Sequence, residues 1–386
     1  MGTKTYDSAT DLITFSRASG GTFLGSNGLL QTAANNIPRI EYDTTGAVKG
    51  LLIEEARTNL VTYSNDFSSA TWFKTRAVVS ANSTTSPSGA TDADLLTTQS
   101  GGWAGLAFPS VSITSGTTYT GSIYAKANGY NWLQIGGSSP RFAATFANVN
   151  LSDGSLGNSN IDVIVTPAGN GWYRIAITAV ATQTTSSAPF FVAVYNTDVA
   201  SRLPDSPDDG TSGILVYGAQ FEQGSFPTSY IPTTGAAATR ARDLAEIPTS
   251  AFGYNNDKGS LVIDVLTPVA DQAMALAYFN TSTYNNSRAF WKSNSGITAV
   301  GTDYVRSTHD GATTKFTIGQ QTQAVYAKLG LSYGDSEKAV RDGGTVLSGT
   351  SRSPNPNRLI FGGRDNGYQS QCWIKSIQYY PRRLTD

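Results

Sequence analysis

YGAQFEQGSFPTSYIPTTGAAATR, residues 217–240, ends one kind of sequence and begins another. Just before and within it, Ile214, Val216, Gly218 and Gln220 alternate with Leu215, Tyr217, Ala219 and Phe221. Both sets are largely apolar or small, so the segment reads as a strand with two buried faces. Gly224, Pro227 and Pro232 then stop it. Proline offers no backbone donor and disfavours helix in the residue before it, so residues 226–233 are predicted to run extended over the domain just completed. The small residues 235–239 read as a linker, with a new domain starting at 243.

Composition agrees with an all-β chain. There are 39 Gly and 15 Pro in 386 residues and only 14% charged residues, which favours short strands and tight turns over helices. The length suits two or three domains. A formal charge of −1 and the lack of any Lys/Arg block leave no electrostatic footprint for nucleic acid. No apolar run approaches the roughly 20 residues that span a bilayer, and the opening MGTKTYDSAT lacks the apolar core of a signal peptide. The expectation is a soluble protein made in the cytoplasm of the producing cell, with no membrane insertion. The single cysteine, Cys372, lies in an apolar strand pattern and reads as inert core.

Outward from the opening stretch, residues 73–216 hold about eight strand candidates, at 95–98, 105–108, 119–126, 132–136, 143–148, 162–166, 172–179 and 189–195, with Gly/Ser/Asn/Thr loops between them. That spacing predicts two packed antiparallel sheets. Residues 243–386 repeat the pattern, from GSLVIDVLTP to CWIKSIQYYPRRLTD. In residues 1–49, Asn27-Gly28 supplies the backbone angles of a tight turn and predicts a β-hairpin at about 21–32. A two-stranded ribbon is marginal alone, so this arm packs on its own body, on a sister subunit or on a neighbouring protein. The domain division read from sequence is therefore an anchoring arm (1–49), a first sandwich (50–242) and a second (243–386).

Four stretches carry a resemblance: DLITFSRASGGTFLGSNGLLQTAANNIPRIEYD, GLLIEEARTNLVTYSNDFSSATWFK, GWYRIAITAV and YGAQFEQGSFPTSYIPTTGAAATRARD, in that order over residues 11–243. Together they resemble a family of tailed-phage virion surface domains of tail-fibre or spike type. The resemblance implies a jelly-roll similar to carbohydrate-binding modules, and the order of parts after 243 resembles a concanavalin or laminin-G-like lectin sandwich. It also implies a virion location, a homotrimer, contacts to other virion proteins through residues 1–49, and binding of host surface polysaccharide. A capsid, neck or collar decoration protein is the alternative, and a glycan hydrolase ranks third.

Candidate chemistry is sparse. Glu54 and Glu55 are adjacent carboxylates of the type used in acid/base work, but Arg57 beside them also predicts a plain salt bridge. The one histidine, His309, follows Ser307 and Thr308 and precedes Asp310. Neighbours along a strand point to opposite faces, so this cluster does not predict a triad. Asp205, Asp208 and Asp209 in RLPDSPDDGTSG supply hard oxygen ligands suited to Ca²⁺, but Asp, Pro and Gly are also ordinary turn residues, and a solvated turn is the favoured reading. Sugar binding needs flat aromatic faces beside planar polar groups. Trp103 in SGGWAG, Tyr130 and Trp132 in ANGYNW, Arg141, and Tyr368 in GRDNGYQSQ are the candidates, each with core packing or a subunit contact as its other reading. Trp72, Trp172, Trp291 and Trp373 fall inside core-like patterns.

Overall fold

A computed structural model describes residues 12–267, 274–280, 287–293, 301–309, 312–321, 326–350, 355–363 and 371–384. The fold is all-β and antiparallel, and helix among the described residues amounts to one 3₁₀ turn, Thr249–Ala251. No helix among them is long and apolar enough to cross a membrane.

The first sandwich packs two six-stranded sheets. One runs Leu156–Ser159, Phe146–Asn150, Trp132–Gly137, Phe190–Tyr195, Gly105–Ala107, Phe73–Thr75; the other runs Val163–Pro167, Tyr173–Val180, Thr118–Asn128, Gly213–Gln223, Thr91–Thr98, Ala77–Thr85. Alternation along each strand fills the space between them: Leu133, Ile135, Val192 and Val194 from one sheet meet Ile123, Ile175, Ile177 and Val216 from the other. The central strand Gly213–Gln223 is buried along all but its last residue, as its sequence predicts. Its alternation does not run straight through, however. Gly218 adopts φ +57° where the pairing with Thr118–Asn128 slips, and this bulge reverses the parity. Ala219 and Phe221 therefore join Ile214 and Val216 inside, while Leu215 and Tyr217 face the other way.

That outer face is also covered. The hairpin Gly21–Leu24/Leu30–Ala33, which falls where Asn27-Gly28 predicts it, brings Leu30 onto a group formed by Tyr124, Trp172, Leu215, Tyr217 and Tyr230. Tyr230 comes from the extended segment after Gly224, and its hydroxyl hydrogen-bonds with Ser64 Oγ (2.6 Å) and donates to Asn65 Oδ1 (2.5 Å). Segment 226–233 thus lies over the first sandwich as expected. Ala238 and Thr239, read as linker, instead form with Arg240 a strand paired to Arg57–Asn59.

The second sandwich packs two seven-stranded sheets, and here the arm expected at residues 1–49 is corrected. Thr14–Ser16 is the edge strand beside Leu244–Pro248 in one sheet. In the other, Ile40–Tyr42 and Val48–Ile53 extend the sheet by pairing with Cys372–Tyr380, so that Leu51, Leu52 and Ile53 face Ile374, Trp373 and Cys372. Leu51 and Ile53 belong to the same core as Leu261, Ile263, Leu329, Phe361 and Ile374. Gly50 makes this close approach feasible: at φ +131° it lies so near the Ile374 carbonyl that a Cβ would overlap it. Thr14–Ser16, Ile40–Tyr42 and Val48–Ile53 are strands of the second sandwich, and a boundary at residue 49 or 50 cuts through the last of them. A strand at Gly301–His309 was also not anticipated; it places Ser307, Thr308 and His309 in succession on one strand.

Candidate functional site

The motif residues converge on a buried ionic junction where the hairpin, the first sandwich and the second sandwich meet. Asp243 Oδ1 lies 3.1 Å from Arg17 Nη1, and its Oδ2 lies 2.5 Å from Arg39 Nη2 and accepts the Glu54 backbone N–H at 2.8 Å. Glu54 Oε2 pairs with Arg39 Nη1 at 2.7 Å and lies 3.5 Å from Arg240 Nε. Ser229 donates to Glu54 through both N–H (2.8 Å) and Oγ–H (2.7 Å), and Gln371 Nε2 donates at 3.1 Å. All four charged side chains of Arg17, Arg39, Glu54 and Asp243 are fully buried. Glu55 is held separately by Arg57, whose Nε donates to it at 2.6 Å and whose guanidinium packs on Phe226 and over Gly224, where a Cβ would overlap it. The adjacent carboxylates of GLLIEEARTNL are thus both taken up by arginines, the salt-bridge reading. Cys372 lies beside this junction; burial, helped by Asp243 and Glu54, pushes its thiol up to about 12, so it is a poor nucleophile.

Burial alone would raise the Glu54 pKa, but Arg240 and Arg39 and the two Ser229 hydrogen bonds outweigh it and lower the carboxyl from 4.5 to about 2. The folded value lies below the unfolded one, so the stabilisation is complete above about pH 5 and is lost as pH falls toward 2. A shift of this size corresponds to about 3 kcal/mol. In melts taken from pH ~6 down to pH ~2.5, the stability gap between the native protein and Glu54→Gln is expected to narrow steadily. A gap that stays constant with pH would contradict the assignment.

The aromatic candidates separate. Trp103 and Trp132 come together on the outer face of the Trp132–Gly137 sheet, both packed against the group of Phe191, Ala193 and Tyr195, with Trp103 and Phe191 centroids 6.2 Å apart. This is where a sandwich would present sugar-stacking rings, yet a loop lies over it. Val199 and Leu203 pack on the same group, and Arg202 sits 4.7 Å above the Phe191 ring. The loop is fastened to the sheet: Gln134 Nε2 donates to the Ser201 carbonyl (3.0 Å), the Leu203 N–H donates to Gln134 Oε1 (2.8 Å), and Asn148 Nδ2 donates to Asp198 Oδ1 (2.7 Å). Tyr130 is corrected outright: it is 6% exposed and part of the first core, so it offers no face to a ligand. Arg141 is half-buried in a turn beyond the opposite end of the strand from Trp132. Tyr368 lies outside the described residues.

The proposed calcium ligands are also corrected. Asp208 accepts the N–H groups of Ser100 and Gly210, and Asp209 accepts those of Thr211 and Ser212, which holds the Asp209 carboxyl below its usual range. These are turn contacts that use the carboxylates locally, while Asp205 is exposed. Among the described residues no group of three or more His, Cys, Asp or Glu side chains is placed to hold a metal ion.

One recess combines aromatic walls with polar groups, and sequence did not point to it. A cleft of about 450 Å³ opens between the two sandwiches, lined by Phe23, Tyr42, Tyr124, Phe226 and Trp373 together with Glu41, Lys49, Arg174 and Gln371. Lys49 Nζ lies 3.9 Å from the centroid of the Trp373 ring and 2.7 Å from Glu41 Oε1. Arg174 stacks 5.5 Å from the Tyr124 ring while Nη1 and Nη2 donate to the Thr228 carbonyl and Ser122 Oγ. Its walls come from stretches of the chain as far apart as Phe23, Tyr124, Arg174, Phe226 and Trp373, which is why no local motif announces it. Ser229 and Gln371 belong both to the cleft and to the ionic junction, so the junction fixes how the two walls face each other. No protein-family model matches the chain, and neither does any curated protein.

Proposed function

We propose that the protein is a non-enzymatic surface protein of a tailed-phage particle, of tail-fibre or spike type, and that it recognises host-surface glycans in the cleft between its sandwiches. The cleft carries this reading: its volume lies within the range of small-ligand sites, and apolar rings with a few polar groups are what a pyranose requires. The four ordered sequence motifs supply the phage context. Weak binding at each cleft is multiplied when several copies are held on one rigid homotrimer, because linked sites raise avidity without new contacts.

A decoration role on capsid, neck or collar is the second reading, and one observation favours it. Each of the four edge strands of the first sandwich carries a large exposed apolar side chain: Phe73, Val78, Leu156 and Ile164 are 51%, 45%, 53% and 48% exposed. Exposed apolar edges are normally covered by a neighbour. A cryo-EM map of the intact particle decides between the two. Host recognition predicts a few projecting trimers with the cleft open to solvent. Many copies lying flat, with the cleft filled by neighbouring subunits, would end the glycan reading and leave the structural one.

A further inference from the structure

Resting on the reading of the cleft as the glycan site, we infer that its ligand is a carboxylate-bearing saccharide, a uronic acid or a sugar of like charge, rather than a neutral one. Among the side chains lining the cleft, two buried polar atoms lack a hydrogen-bond partner, Trp373 Nε1 and Arg174 Nε. Both are N–H donors. The hydroxyls and amide at the inner end are already committed: Thr22 Oγ1 donates to the Tyr230 carbonyl, and Ser229 Oγ and Gln371 Nε2 donate to Glu54. The charges are unbalanced in the same sense, with Lys49 and Arg174 facing the cleft against one carboxylate, Glu41. A ligand that complements this wall must bring acceptors, and a carboxylate makes the stronger, charge-assisted bonds to such donors.

Lys49 and Glu41 supply the means of entry. Lys49 covers the face of the Trp373 indole, and its side chain and that of Glu41 remain 24% and 14% exposed. Partly solvated pairs contribute little, so a ligand carboxylate can replace Glu41 as the partner of Lys49. The ammonium then shifts with it and frees the ring face for the sugar.

An array of bacterial polysaccharide fragments, some containing uronic acid and some neutral, tests this with the full chain and two variants. Fragments containing uronic acid should bind preferentially and more weakly as salt rises. Trp373→Phe, which keeps the ring and removes the N–H, should weaken them about tenfold, the effect of losing a bond to a charged acceptor. Glu41→Gln removes the competing carboxylate and should tighten them about two- to fivefold. Neutral fragments that bind as well as acidic ones, and that ignore Glu41→Gln and salt, would overturn the charge inference while leaving the cleft a glycan site. If no fragment of either series binds in a way that depends on Trp373, the charge inference and the site reading both fall; unchanged melting of both variants excludes misfolding as the cause.

Discussion

A chain lacking residues 1–49 is expected to lose its second sandwich and to keep a weakened first one. The deletion removes the edge strands Thr14–Ser16 and Ile40–Tyr42 from the two sheets of the second sandwich and shortens Val48–Ile53. Phe15 and Ile40, which pack against its core, go with them. It also removes Arg17 and Arg39, the partners of Asp243 and Glu54, whose side chains are fully buried in the intact chain. Removing one partner of a buried ion pair costs about 3–5 kcal/mol, and two such losses together rival the whole stability of an ordinary domain, about 5–15 kcal/mol. Limited proteolysis followed by mass spectrometry should find cuts throughout residues 244–384 while the strands between 73 and 223 resist. If the C-terminal half of the truncated protein is as resistant as in the intact chain, the early strands are dispensable and a detachable arm is restored.

Asp243→Ala should be the most damaging single substitution in the junction, at about 3–5 kcal/mol in denaturant unfolding. Asp243 touches Arg17, Arg39 and the Glu54 backbone together, so its loss leaves the buried Arg17 without its carboxylate, strips Arg39 of one of its two, and leaves a buried N–H without its acceptor. Because the charges form one network, the cost should not add: Asp243→Ala combined with Arg17→Met should destabilise less than the two single losses summed, by about 1–3 kcal/mol of coupling. Simple additivity, or a single-mutant loss under about 1 kcal/mol, would mean that water reaches these charges and that the junction is not what joins the sandwiches.

Much of this architecture was legible where side chains repeat along a single strand. Leu133 and Ile135, or Ile175 and Ile177, announce a half-buried strand because their period is two. Asn27-Gly28 announces a hairpin because the turn needs those residues. The three-residue strands Thr14–Ser16 and Ile40–Tyr42 are too short for any period to show, and their partners stand hundreds of residues away. Glu54, Arg39 and Asp243 carry charges that normally mark the surface; only their position beside apolar runs, in a chain with 14% charged residues, hinted that they are inside. Nothing in the sequence put Trp103 and Trp132 on one sheet face, and the loop bearing Val199 and Leu203 is polar in sequence and gave no sign that it would lie over them. The cleft was invisible for a related reason: Trp373 reads as core, and it is core on one side of its strand's neighbours and wall on the other.

The pairing of Ile53 with Cys372 also has a history in time. About 300 residues separate the two partners. A ribosome adding about 5–20 residues per second needs roughly 15–60 s to produce the second after the first. Throughout that interval Leu51, Leu52 and Ile53 have no sheet to join, whereas every strand of the first sandwich finds its partners within its own stretch of chain. Until Cys372 emerges, the nascent protein therefore carries a sticky, half-made β-ribbon. Its yield should depend on how slowly it is made and on whether a chaperone holds that ribbon until the last strand arrives.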